Sequence, residues 1–257
     1  MNTQQMMEAS LKPKMKKSLL RVLYFTILVS FLFPIVFLLI ELISYDPEVN
    51  ARTRGDLLLM LLQCVLGILV IHIPTMFHHR WRIDIPIPLY VLYMIFLYCA
   101  IFLGEVASFY AKIPYWDDML HAMSSMMTGF FGYMLIAILN REARSKLDLS
   151  PFFVALFAFC FSVTIGAVWE IYEFLADSAL GLNMQKFMEA DGNLLIGKEA
   201  LFDTMKDLIV DTLGAAFASA IGLLSMHRKG WVHGYLKNTV IVRGLKSKRE
   251  AREQEHL

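Results

Sequence analysis

"PFFVALFAFCFSVTIGAVWEIYEFLAD", residues 151–177, decides the fold. Its first part is apolar almost without a break and reads as a bilayer-spanning helix, which needs about 20 such residues. Its last turns then carry Glu170, Glu173 and Asp177 and nothing basic. Working outward from it, five more runs have similar length and character. The six expected spans are 19–43, 56–76, 86–109, 117–139, 151–176 and 204–226. Charge and turn signals separate them: "YDPEVNARTRGD" (45–56), "HHRWRIDIP" (78–86), "AKIPYWDD" (111–118), "NREARSKLDLSP" (140–151) and the long stretch 177–203. The expected fold is all-α, a polytopic membrane helical bundle of about six transmembrane helices. It forms one domain over 19–226, with a basic segment before it (1–18) and a basic tail after it (227–257).

Composition agrees. Of 257 residues, 57% are hydrophobic and the mean hydropathy is +0.54, which places the chain in the membrane class. The net charge of +1 leaves no basic footprint for nucleic acid. Cys64, Cys99 and Cys160 all sit in apolar runs without a CxxC, so neither a disulfide framework nor a cysteine metal site is expected. The basic N-terminus runs into a long apolar stretch without a small-residue cleavage site, as in a retained first helix rather than a signal peptide.

Lysine and arginine orient the spans. With the N-terminus in the cytoplasm, the outer side collects Arg52, Arg54, Lys112, Lys186, Lys198 and Lys206. The remaining basic residues, 24 − 6 = 18, fall inside. That bias places both termini in the cytoplasm, and the expected home is a bacterial inner membrane.

On this topology the acids gather at the outer ends of spans 3 to 6. Glu105 lies near the end of span 3. Asp117, Asp118 and His121 open span 4, Glu170, Glu173 and Asp177 close span 5, and Asp203, Asp207 and Asp211 open span 6. At 100° per residue, Asp203, Asp207 and Asp211 spread over only about 80° of a helix. Gly214, Ala218 and Gly222 continue their stripe, and small residues at that spacing let helices approach closely. Gly166 shares a face with Glu170, Glu173 and Asp177; Gly129 and Gly132 lie on the His121 side. Acidic faces therefore meet small-residue faces. Helix capping and the dipole explain Asp117, Asp118 and Asp203 at N-termini. They explain neither three acids at a C-terminal end nor Asp211, two turns into its helix.

Packed carboxylates repel and are costly to desolvate, so a positive partner is required: protons, a divalent cation or a cationic substrate group. Carboxylates and one imidazole at i, i+3 and i+4 on facing helices suit a hard or borderline cation such as Mg, Mn, Fe or Zn. The expected ligands are Asp118, His121, Glu170, Glu173, Asp207 and Asp211. Glu173 or Asp211 would act as general base. Glu105, Asp117, Asp177, Asp203, Trp116 and Trp169 stand behind them. A site at head-group depth meets membrane lipids first, so the expected partner is a lipid or lipid-linked substrate handled by a metal-dependent hydrolase or transferase. Two alternatives stay open: a cation- or proton-coupled transporter or binding protein using the same carboxylates, and a non-catalytic envelope protein.

Other signals are weaker. Tyr110, Tyr115, Trp116, Trp169 and Tyr172 suit an interfacial aromatic belt. The stretch 177–203, with Met184, Phe187, Met188, Leu194, Leu195 and Ile196, reads as a segment lying on the interface or capping the acids. No Walker motif, GxSxG or phosphatase-type Arg/His set is present.

Three blocks carry a family resemblance: "YWDDMLHAMSSMMTGFFGY" (115–133), "GAVWEIYEFLAD" (166–177) and "DTMKDLIVDTLGA" (203–215). They resemble the YjdF-like bacterial membrane proteins, over roughly residues 90–225. A fainter likeness is to the VanZ-like membrane proteins. Their Asp and His opening one helix, Glu ending the next, and Asp before a Gly in the last correspond to Asp118 with His121, Glu170 or Glu173, and Asp207 with Asp211 and Gly214. Here Asp211 stands in place of Asn and Glu173 in place of Gln. The VanZ-like likeness implies cell-envelope biology.

Overall fold

The computed structural model describes residues 3–48, 52–81, 85–142, 149–189 and 192–227, with the side chains of 3–17, 137 and 140–142 also outside the description. Most of the basic residues that carry the expected orientation, including the tail beyond His227, lie outside the described residues. Among the described residues the chain is helical with no strand, apart from one isolated bridge between Met188 and Leu194. It is a polytopic helical membrane protein. Five stretches are long and apolar enough to cross a bilayer: Ser18–Ile43, Arg54–Arg80, Ile87–Val106, Pro151–Leu180 and Phe202–His227. The fourth expected span coincides with a further helix of 27 residues, Trp116–Glu142. Only 17–33% of the apolar windows is buried, so most of that apolar surface faces outward, as lipid-facing helices require.

Two compact units make up the chain: Met1–Pro74 with Ile87–Ile113, and Thr75–Pro86 with Pro114–Leu257. The first contains α1 (Thr3–Ile43), α2 (Arg54–Val70), the start of α3 (Ile73–Trp81), α4 (Ile87–Leu97) and α5 (Phe109–Lys112). Thr53 caps α2 by a reciprocal box: its hydroxyl accepts from Asp56 N at 3.1 Å while its own N–H donates to the Asp56 carboxylate at 2.9 Å. The expected second span is interrupted after Val70, where α2 ends and α3 begins with Pro74 in its first turn. The expected third span is not uniform either, because α4 passes into a π-helical stretch, Tyr98–Val106. Its wider turns shift the face presented by Glu105, which accepts a hydrogen bond from Gln63 Nε2 at 3.0 Å. Ile27, Phe31, Ile71, Met94 and Leu97 form one buried core here, and Leu38, Leu57, Met60 and Cys64 another.

The second unit is built on α6 (Trp116–Glu142), α7 (Pro151–Leu180) and α8 (Phe202–His227), each packed on the other two. Ser150 starts α7 by accepting from Phe153 N, with Pro151 in the first turn. Gly181, at φ 65°, ends it in the left-handed conformation that glycine adopts without strain. Lipid offers no hydrophobic drive between helices, so close approach of small residues supplies the packing. A Cβ on Gly132 would come within 2.9 Å of Ala158 Cα, and one on Gly129 within 2.9 Å of Ala218 Cβ. A Cβ on Gly214 would strike Ser125, and one on Gly222 the ring of Tyr133. Polar groups in this seam are satisfied locally: Ser162 Oγ donates to Ser125 O at 2.7 Å, Ser219 Oγ to Ala155 O at 2.9 Å, and Tyr133 OH to Ser219 O at 2.6 Å.

Candidate metal centre

α6 and α8 begin, and α7 ends, at the same end of the second unit. Ten of the sequence-nominated residues therefore fall in one place. Asp117, Asp118 and His121 come from the first turns of α6, Glu170, Glu173 and Asp177 from the last turns of α7, and Asp203, Asp207 and Asp211 from α8. Trp169 completes the group. Trp116 is the first residue of α6. Glu105 belongs to the first unit, in its pairing with Gln63.

His121 is the hub, and it is buried with 6% of its surface exposed. Its Nδ1 lies 3.4 Å from Asp211 Oδ2. Its Nε2 faces one carboxylate from each helix: Asp117 Oδ1 at 3.8 Å, Glu170 Oε1 at 4.0 Å and Asp207 Oδ2 at 3.8 Å. The two sides of the ring differ in kind. Nδ1 is in hydrogen-bond contact with Asp211, at the long end of the range, whereas the Nε2 distances of 3.8–4.0 Å lie beyond hydrogen-bond reach. Gly166 makes the Asp211 position accessible, because a Cβ there would strike its carboxylate.

Not every acid belongs to this hub. Lys186, from the segment joining α7 to α8, donates to Asp117 and to Asp203, the latter at 3.0 Å. Burial alone would lower the Lys186 pKa, but the charges of Asp117 and Asp203 and their hydrogen bonds outweigh it and raise it. Lys206 pairs with Asp118 at 2.7 Å. Asp177 accepts the backbone N–H groups of Met184 at 2.7 Å and Gln185 at 3.0 Å, tying the connecting segment to the end of α7. Glu173 accepts from Trp169 Nε1 at 2.9 Å, one helical turn away. Sequence reasoning placed Lys186 and Lys206 on the outer side but paired neither with an acid; Asp117 stands 69 positions from Lys186, with no local signal between them. The Trp169–Glu173 bond was visible as an i, i+4 pair.

Around His121 there remain Glu170, Glu173, Asp207 and Asp211, all less than 10% exposed, together with Oδ1 of Asp117, whose Oδ2 takes the Lys186 contact. Both oxygens of Glu170 and one each of Asp207 and Asp211 are buried without a hydrogen-bond partner. Such orphaned acceptors cost free energy unless something positive meets them. Two donor triads fit one ion: Asp117, His121 and Asp207, and His121, Glu170 and Glu173, with ligand atoms within 4.8 Å of one another in each. Donors bound at about 2.0–2.3 Å stand roughly 3–4.5 Å apart across one cation, so shifts of a few tenths of an ångström suffice. The donor set, several carboxylates and one imidazole, suits a hard or borderline divalent ion.

Comparison with known proteins agrees on the class. Residues 25–228 match the family described as "Predicted membrane protein (DUF2238)". A Thermotoga maritima protein, named only "Uncharacterized protein", is 36% identical over 113 residues, 44% of this chain and 50% of that one. The chain thus spans about half the length of the curated relative it matches. No solved structure matches. The likeness to VanZ-like proteins finds no support in these matches. With its apolar helices, its buried acid–histidine cluster and a match covering most of its length, the chain belongs to the DUF2238 family of membrane proteins, which is the YjdF family.

Proposed function

We propose that this is a metal-dependent membrane protein that holds a divalent cation between α6, α7 and α8 and acts on the head group of a membrane amphiphile. The observation that carries the reading is the set of orphaned carboxylate oxygens on Glu170, Asp207 and Asp211 around a buried imidazole. His121 Nε2, Asp117, Asp207 and Glu170 would hold the ion. Asp211, on the other ring nitrogen, would keep the proton on Nδ1 and leave the Nε2 lone pair free, the usual carboxylate–histidine arrangement behind a metal. Glu173, steadied by Trp169, is the nearest remaining base. A cation bound there supplies Lewis acidity and lowers the pKa of bound water. The positive-inside bias of the sequence favours the outer side for this end; head-group depth there supports a lipid or lipid-linked substrate over a soluble one. A one-sided site fits better than a carrier, because the locally satisfied seam of Gly129, Gly132, Ser162 and Tyr133 lies along the helices beyond the acids.

The test is Mn²⁺ titration of full-length, chelator-stripped protein in detergent, followed by electron paramagnetic resonance and elemental analysis. One ion per chain is expected. Asp207→Asn should abolish tight binding, and Asp211→Asn should weaken it by about 10–100-fold by releasing His121. Equal Mn²⁺ uptake by wild type and Asp207→Asn would overturn the proposal.

A further inference from the structure

We infer that the cleft beside Glu170 seats a membrane amphiphile with a positively charged amine head, its hydrocarbon chain lying between α7 and the start of α8. This names the substrate class of the site proposed above. It rests on that reading only in calling the bound molecule a substrate.

The cleft has a volume of about 660 Å³, inside the roughly 300–1,000 Å³ of small-molecule sites. Its walls are largely apolar: Ile171 and Phe174 of α7, Phe187 and Leu201 of the connecting segment, and Leu208 of α8. Ile171, Phe174 and Leu201 are 57%, 58% and 60% exposed. Exposed apolar side chains on spanning helices face acyl chains, so the entrant arrives from the bilayer rather than from water.

Charge selects the head. Glu170 and Asp177 line the cleft, and no Lys, Arg or His does. Asp177 is already engaged by two backbone N–H groups, and Gln185 Nε2 donates to Thr204 Oγ1 at 2.8 Å. Glu170 is different: 4% exposed, neither oxygen bonded, and facing both the cleft and His121. Oε1 is the oxygen on the His121 side, where the proposed cation would sit; an ammonium group supplies donors and charge to Oε2, as a charge-assisted hydrogen bond. A phosphate or carboxylate head would meet two acids and no base. A hydroxyl head would donate one hydrogen bond to the carboxylate but bring no positive charge to offset it.

The experiment uses full-length protein in phosphatidylcholine nanodiscs, with empty nanodiscs as control. Binding of hexadecylamine, hexadecanol and hexadecanoic acid is compared by displacement of a fluorescent long-chain amine. The amine should bind about tenfold or more tightly than the other two, a charge-assisted bond's worth. Glu170→Gln should bring the amine down to the alcohol. Ala200→Trp, filling the cleft, should weaken amine and alcohol alike. Thr204→Lys, which leaves Glu170 in place, should shift the preference toward hexadecanoic acid. An amine preference below about twofold, or one unchanged in both Glu170→Gln and Thr204→Lys, overturns the inference. Mn²⁺ titration of the same samples separates the two proposals. Amine preference without Mn²⁺ binding removes the cation and keeps the cleft; Mn²⁺ binding without amine preference removes the cleft alone.

Discussion

Replacing Glu170 by Gln should move stability in opposite directions with and without a divalent cation. In the stripped protein, Glu170 is buried and neither carboxylate oxygen has a partner. Gln keeps the shape and removes the charge. The penalty relieved has a ceiling, because wild type can always escape by taking up a proton. That escape costs about 3.7 kcal/mol at pH 7, since a free glutamate titrates near 4.3 and each unit is worth about 1.36 kcal/mol. Any stabilisation of the variant must therefore be positive and below about 4 kcal/mol, a rise of several degrees in Tm for a chain of this size. With cation the sign reverses. At a concentration of about 100 Kd, binding stabilises wild type by about 2.7 kcal/mol; a hundredfold weaker site keeps about 0.4 kcal/mol. Thermal unfolding of purified protein in detergent, with chelator and with saturating Mn²⁺, reads both. A variant less stable than wild type in chelator, with an undiminished Mn²⁺ shift, would refute the reasoning.

Gly166→Ala should cost about 1–3 kcal/mol by overpacking and weaken Mn²⁺ binding although no ligand changes, because the new Cβ strikes the Asp211 carboxylate. Gly181→Ala is the control: its Cβ meets nothing within 4 Å, so the strain of φ 65° should cost roughly 1 kcal/mol and leave Mn²⁺ binding intact. Lys186→Met should free the segment between α7 and α8, read as faster proteolysis between Gly181 and Leu201 with the helices intact. Because folding raises the Lys186 pKa, its contribution is complete below the ordinary lysine value of 10.5 and is lost only as pH rises above it. Wild type should therefore approach the variant's proteolysis rate only in strong alkali, with no change between pH 6 and 9.

Much of this was legible from residue order. Runs of apolar residues give their length directly, and α7 and α8 start and stop within a few residues of the expected bounds because Ser150, Pro151 and Gly181 punctuate one of them and the 177–203 stretch the other. The meeting of His121, Glu170 and Asp207 was legible because alternating chain direction brings helix starts and a helix end to one level. Irregularities inside the spans were not. The π-helical stretch at Tyr98–Val106 and the break after Val70 sit in apolar sequence, where hydropathy is blind to backbone geometry. The division into two units was equally hidden, since hydropathy does not say which spans pack on which. Within the cluster, the pairing of Asp118 with Lys206 and of Lys186 with Asp117 and Asp203 depends on side-chain reach across helices. Helical periodicity does not specify such reach, so Asp118 and Asp117 exchange the emphasis the sequence put on them.

The glycine–alanine contacts along α6, α7 and α8 carry one more consequence. Where Gly132 leans on the Ala158 main chain and Gly129 on the Ala218 methyl, these helices gain no slack by turning a side chain. Such a seam behaves as a rigid keel. The acid-bearing end, where Lys186 and Asp177 tie down the α7–α8 connection, is then the shared approach. On the proposed function, ion and amphiphile would pass through that end in turn, and a product lingering there would compete with the next molecule to arrive.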